Sequence, residues 1–368
     1  MGAVRGQESA TETVLSAALR EPSAEERGAA DAQAVRERPE VLHGTPLGDF
    51  GEGGAGEAAF RRVLHAAHVP PALLRASSRW LGERRARRAH EVAERYAYWC
   101  GARGRLEKET WRRLTRGTAI LMYHAFGRPD EPASRFVVPA PAFERQLRWL
   151  ARHHRPVLRL DQLPADRRQE RLAPAGAVVI TIDDGYVDNL ALAAPLLRRF
   201  RFPATVFAVS GRIGGVANWD GAGELSGRRL LDWDGLRALQ QSGVAVGAHT
   251  SSHPRLPELD EQAASDEVEQ PRRELAERLG APVEAFSYPY GRASDASVAA
   301  VARAGFGCAC GIERGLNYPG TPLLQLRRVA VDGDSSMLRF ALGVRFGDPD
   351  LLTRALAHLR TAVFSRRR

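Results

Sequence analysis

The chain has 368 residues, 44% hydrophobic and 26% charged, with a formal net charge of +9. That composition allows one large core plus an appendage. No stretch approaches the ~18 uninterrupted apolar residues that a membrane-spanning helix needs, and with Lys108 as the single lysine, lysine-based Schiff-base chemistry is effectively excluded.

Residues 1–58 are rich in Ala, Gly, Glu and Arg with few large apolar side chains, which predicts a disordered leader. The first thirty residues lack a basic-then-apolar order, so no secretory signal peptide is expected. Cys100, Cys308 and Cys310 form an odd set and read as core thiols of a reducing compartment, with a zinc site at Cys308 and Cys310 as the minor alternative. The expected location is cytoplasmic, with peripheral membrane attachment as a variant.

Residues 59–116 read as a basic helical extension. Between Ala59 and Arg116 stand fifteen Arg or Lys against five Glu, a surplus of ten that accounts for the net charge of the whole chain. Val63, Leu64 and Ala67 precede a Pro70-Pro71 break; Val92, Tyr96, Trp99, Leu106, Trp111 and Leu114 then keep near-helical spacing. The favoured reading is an arginine-rich solvated face. The sharper one is contact with an anionic membrane surface or an acidic partner. No specific nucleic-acid partner is indicated.

From Thr118 the texture is that of an α/β domain, residues 117–345. AILMYH, VVITID, ATVFAV, VAVGAH and AFSYPY read as buried strands. Helical stretches lie between them: Pro141 to His153, Leu190 to Phe200, Asp234 to Gln241, Asp260 to Leu279 and Ala296 to Ala304. Strands apolar throughout and alternating with helices fit a parallel barrel or a doubly wound sheet. Residues 346–368 read as a terminal helix and a basic tail.

Two short runs carry the chemistry. Asp183 and Asp184 end the VVITI strand before Gly185, and alternate side-chain directions let one carboxylate bind a metal while the other stays free. A solvated D-D-G turn is the bland alternative. His249 and His253, delivered by VAVGA, have the His-x3-His spacing that places two imidazoles on one side of a helical turn. One Asp with two His leaves an open position on a divalent metal, and the spare Asp can serve as a base.

These residues resemble the polysaccharide deacetylases, carbohydrate esterases with a NodB-like homology domain. The T-F-D-D-G motif reads T-I-D-D-G at Thr181 to Gly185, H-[ST]-x-x-H-P is intact from His249 to Pro254, and Ser287-Tyr288-Pro289-Tyr290-Gly291 is similar to the P-Y-G form. The likeness covers roughly Ala119 to Asp334. It implies a distorted (β/α) barrel of about seven parallel strands with an N-terminal helical extension. It also implies metal-dependent hydrolysis of N-acetyl groups on N-acetylhexosamine units of a glycan or glycoconjugate. Asp184, His249 and His253 would bind the metal, zinc first, with Co2+, Fe2+ or Mn2+ as alternatives. Asp183 would be the base and the main-chain N–H of Tyr290 an oxyanion donor. Tyr290 and Trp219 are candidates to stack on a sugar.

Two features depart from the usual order. The L-x-L-H motif is missing after the third motif, and Leu121-Met122-Tyr123-His124 opens the domain instead, similar to the circularly permuted branch. This makes His124 the expected acid, with His358 a distant second. Ser287 stands where many members carry a base-orienting arginine, so Arg327 or Arg328, with Arg328 favoured, is expected to take over. The competing reading is a catalytically inactive glycan-binding or membrane-surface scaffold.

Overall fold

The computed structural model describes residues 21–78, 83–131, 134–219, 223–354 and 357. The chain divides into two compact units. One gathers the residues up to Val41 with Val63–Glu107, and the other gathers Leu42–Arg62 with everything from Lys108 onward.

The first unit is helical. The helix Ala24–Glu37 begins at a capping box in which Glu26 accepts from the Ser23 N–H and Ser23 Oγ accepts from the Glu26 N–H. It packs on the helix Glu83–Arg103 through small residues. A Cβ at Gly28 would lie 1.9 Å from the Tyr98 carbonyl oxygen, and one at Gly101 would lie 1.9 Å from that of Glu25. The expectation of a disordered leader therefore fails from residue 24 onward: low hydrophobicity here reflects close backbone packing rather than lack of structure. Residues 1–20 lie outside the described residues. Two arginines of this unit are tied within it, Arg75 to Glu94 at 2.8 Å and Arg103 to the His65 carbonyl at 2.6 Å. Among the described residues no helix is long and apolar enough to cross a membrane.

In the second unit the rest of the expected leader also packs. Leu42, Leu47 and Phe50 are buried. The fully buried Arg61 donates to the carbonyls of Phe50 and Glu52 and pairs with Glu57. The strands are β1 Ala119–Tyr123, β2 Ala125–Gly127, β3 Val137–Pro139, β4 Val157–Leu158, β5 Val178–Ile182, β6 Ala204–Ala208, β7 Val244–Ala248, β8 Ala285–Ser287, β9 Cys308–Arg314 and β10 Leu326–Ala330. Seven of them, β1 and β5 to β10, form a closed parallel barrel. The ring closes because β1 pairs with β5 along its whole length, Ala119 with Val178 through Tyr123 with Ile182, and with β10 at Leu121–Val329. The short β4 adds to the edge of β5, and β2 and β3 form a separate parallel pair.

All-apolar strands suit this arrangement because both faces of a parallel sheet are covered. Val178, Val179, Ile180 and Ile182 are fully buried, each worth about 1.5–3 kcal/mol of transfer free energy. The connecting helices include Ala140–Arg152, Ala194–Phe200, Trp233–Gln241, Glu261–Leu279, Asp295–Arg303 and Met337–Phe346. Side-chain caps start several of them, Asp232 accepting from Gly235 N and Asp260 from Ala263 N, both at 2.8 Å. The predicted helix from Leu190 opens instead with a π turn, Asn189–Ala193. Beyond Phe346 the chain is helical again at 351–354; His358 and the rest of the tail lie outside the described residues.

Cys308 and Cys310 sit inside β9 among Ile120, Val179 and Leu326, both fully buried and unpaired. Among the described residues they belong to no cluster able to hold a metal, which corrects the zinc alternative: both thiols fill an apolar layer.

Candidate active site

The site gathers at the C-terminal ends of the barrel strands. As β5 ends, the Asp183 N–H still bonds the Tyr123 carbonyl of β1 at 2.9 Å. Asp184 and Gly185 then take positive φ, 74° and 79°, and the chain turns away. This reversal sends the adjacent carboxylates to different partners.

Asp184 faces the imidazoles. Its Oδ1 lies 3.5 Å from Nε2 of both His249 and His253. The ring of His249 is oriented by its Nδ1, 2.7 Å from the Ser287 carbonyl; since a carbonyl only accepts, that nitrogen carries the hydrogen and Nε2 presents a lone pair to the site. The expected helical turn between the two histidines is absent. The segment is an irregular loop with Thr250 at φ 64° and His253 at φ 66°. Tertiary contacts, rather than helical periodicity, bring the rings to a centroid distance of 4.8 Å.

The three donor atoms lie within 4.8 Å of one another, all on buried residues. Burial, reinforced by the charge of Asp183, pushes the Asp184 carboxyl up to about 7, while burial lowers both histidines. A carboxylate that is hard to ionise beside two neutral imidazoles lacks a compensating positive charge. A divalent metal fits that set.

Asp183 faces a different cation. Arg328, from β10, places Nη1 2.8 Å from Asp183 Oδ1, Nη2 3.1 Å from Ser287 Oγ and Nε 2.8 Å from the Gly311 carbonyl. Burial alone would raise the Asp183 pKa, but Arg328, with His249 and His124, outweighs it and holds the carboxyl well below the usual range. The small Ser287 leaves room for this guanidinium. The neighbouring Arg327 points instead to Asp49, at 3.9 Å.

His124 follows β1, and Asn189 Nδ2 in the π turn donates to its carbonyl at 2.9 Å. Its Nε2 is 4.0 Å from Asp183 Oδ2, and its ring meets Phe136 edge-on at 5.0 Å. Burial lowers its pKa to about 4 despite the opposing charge of Asp183.

These groups line a cavity of about 270 Å³ that also holds Trp219, Tyr290 and Arg135. Trp219 stacks on His253 with centroids 4.5 Å apart, and Tyr290, at φ 56°, meets the same ring edge-on at 4.8 Å. Thus Asp183, Asp184, His249, His253, His124, Tyr290 and Arg328 come together in one place. Phe136, Tyr186 and Ile312 also line the cavity and lie outside the sequence motifs. Tyr186 directly follows the D-D-G run and was within reach of that motif; Phe136 and Ile312 carry no local signal.

Residues 171–309 match the family model described as polysaccharide deacetylase. YxkH of Bacillus subtilis (strain 168), a protein named after the polysaccharide deacetylases, is 25% identical over 212 residues, 58% of this chain and 70% of its own. The poly-beta-1,6-N-acetyl-D-glucosamine N-deacetylase of Staphylococcus aureus is 19% identical over 234 residues, 61% of this chain and 78% of its own. Among solved structures, IcaB from Ammonifex degensii superposes with a TM-score of 0.54 at 22% identity, covering 63% of this chain and 97% of that one. This likeness supports the fold. Residues 171–309 thus carry the match to the polysaccharide deacetylase family, and relatives named as polysaccharide deacetylases extend the likeness over more than half of the chain.

Proposed function

We propose that this chain hydrolyses the N-acetyl group of N-acetylhexosamine units in a glycan or glycoconjugate, releasing acetate. The observation that carries the reading is the separation of two adjacent carboxylates, Asp184 onto two imidazoles and Asp183 onto Arg328 and His124.

Asp184, His249 and His253 are the residues that would hold a divalent metal. Two imidazoles and one carboxylate suit zinc first, and also cobalt, iron or manganese. Such an ion supplies Lewis-acid polarisation of a carbonyl and lowers the pKa of water.

The remaining steps belong to the side chains. Asp183, kept ionised by Arg328 against the effect of burial, takes a proton from water as the water oxygen bonds to the acetyl carbon. Arg328 is anchored at Gly311 and Ser287, so the base is held in one orientation. Negative charge gathers on the carbonyl oxygen, and the main-chain N–H of Tyr290 is assigned to stabilise it. His124 is neutral at rest because it is buried. It therefore receives its proton from Asp183, 4.0 Å away, and passes it to the nitrogen as the C–N bond breaks. The products are acetic acid, which ionises, and a free amine. Trp219 offers an aromatic wall for a sugar ring.

His124 reaches the site from the first barrel strand because β1 lies between β5 and β10, which supports reading the chain as a circularly permuted member. The free cysteines support a reducing, cytoplasmic setting.

The test is acetate release from N-acetylglucosamine oligomers and from N-acetyl-sugar conjugates, with the metal content measured in parallel. Release that stops on chelation and in Asp183→Asn supports the reading. Oligomers bound without any release would favour a binding-only protein.

A further inference from the structure

The loop that joins His249 to His253 holds two non-glycine residues at positive φ, Thr250 and His253, a strained backbone conformation for side chains of this kind. Such a conformation persists only where its surroundings over-determine it. Much of the loop's backbone is tied to its surroundings by hydrogen bonds. The carbonyls of Thr250 and Ser251 accept from the N–H groups of Ser210 (3.1 Å) and Gly211 (2.9 Å). Thr250 Oγ1 donates to the His249 carbonyl at 2.5 Å and accepts from the His253 N–H at 2.9 Å. Three further donors of the loop end on one side chain. Glu267 Oε2 accepts from the N–H groups of Ser251 (2.8 Å) and Ser252 (2.9 Å), and its Oε1 accepts from Ser252 Oγ (2.6 Å).

Glu267 stands on the helix Glu261–Leu279, which is capped by Asp260 and buries Val268 and Leu275 in the core. Among the described residues Glu267 has no arginine, lysine or histidine within ion-pair distance. Its charge acts on the loop, through hydrogen bonds of the stronger, charge-assisted kind. The loop is thus clamped between a rigid helix on one side and the strand end after β6 on the other.

We propose that Glu267 is a positioning residue for the metal-binding pair: by gripping Ser251 and Ser252 it holds the backbone that turns the His253 imidazole onto Asp184. The proposal rests on reading Asp184, His249 and His253 as a metal site, and its readout is metal binding rather than turnover.

The experiment uses the full chain and Co2+ as probe. Glu267→Ala and Glu267→Gln are compared with Glu274→Ala, which removes an acid on the same helix that faces Arg278 at 3.9 Å. The Co2+ dissociation constant is expected to rise about 10- to 100-fold in Glu267→Ala, with an altered visible absorption band. Glu267→Gln, which keeps one acceptor oxygen, should show a smaller effect, and Glu274→Ala should match the parent. If Glu267→Ala does not fold, Glu267→Gln and Glu267→Asp decide by the same two measurements. Parental affinity and spectrum in the folded Glu267 variants would overturn the proposal. A parent chain that binds Co2+ but releases no acetate counts against the deacetylase reading alone, whereas one that binds no Co2+ overturns both.

Discussion

Arg328 Nη1 lies 2.8 Å from Asp183 Oδ1 with both side chains almost wholly buried, although 145 residues separate them in the chain. The contact exists because the barrel closes: β10 and β5 both pair with β1, so the two strand ends meet across it. A buried ion pair of this kind is costly to break from one side, since the remaining charge is left without water or partner.

Arg328→Met should therefore destabilise the protein by about 3–5 kcal/mol, measured by denaturant unfolding. Adding Asp183→Asn removes the stranded charge, so the double variant should be more stable than Arg328→Met while remaining inactive. A double variant less stable than the single one would contradict this account.

Metal removal should have a pH-dependent effect. The Asp184 carboxyl is raised to about 7 from an ordinary 3.8, by burial and then by Asp183. Between those values the folded metal-free chain holds a proton that the unfolded chain has released, so stability falls as pH rises from about 4 to about 7. A bound divalent cation favours the ionised form and offsets that loss. The gap in melting temperature between metal-loaded and chelator-treated protein should widen across this window; a constant gap would count against Asp184 as a ligand.

His124 and His253 should separate chemistry from metal binding. Nε2 of His124 is near Asp183, not among the three clustered donors. His124→Gln should lower kcat by about 100- to 10,000-fold with the metal content unchanged. His253→Gln should lose the metal itself. Equal metal loss in both would remove the assigned division of roles.

Gly28→Ala tests the helical unit. Its Cβ would press on the Tyr98 carbonyl carbon and oxygen, both backbone atoms that cannot swing aside. A loss of about 1–3 kcal/mol is expected, seen as faster amide exchange in Ala24–Glu37 and Glu83–Arg103. Unchanged protection would show that the two helices do not depend on this close approach.

Buried thiols should be chemically silent. Burial pushes Cys310 up to about 12 and Cys308 well above its ordinary value. A thiol reagent should label them only after unfolding, with Cys100, which is partly exposed, accounting for any modification of the native chain.

Asp183, Asp184, His249 and His253 were legible in the sequence because each pair is local: a few residues at the end of an apolar strand, in a recurring order. A parallel α/β sheet was legible for a similar reason, since apolar strands alternating with helices leave few ways to cover both faces of a sheet; that pattern fits a doubly wound sheet as well, and the barrel followed from the family resemblance. Local patterns misled where composition stood in for packing. The small residues of 24–37 read as disorder but serve close helix contact, and the His-x3-His spacing suggested a helical turn where the loop is irregular. The partner of each carboxylate depended on the tertiary structure. Arg328 rather than Arg327 reaches Asp183, His124 arrives from the first barrel strand, and Glu267 grips the histidine loop from a helix fifteen and sixteen residues further on. Those choices depend on strand register and barrel closure, contacts between segments far apart in the chain, and no window of local sequence contains them.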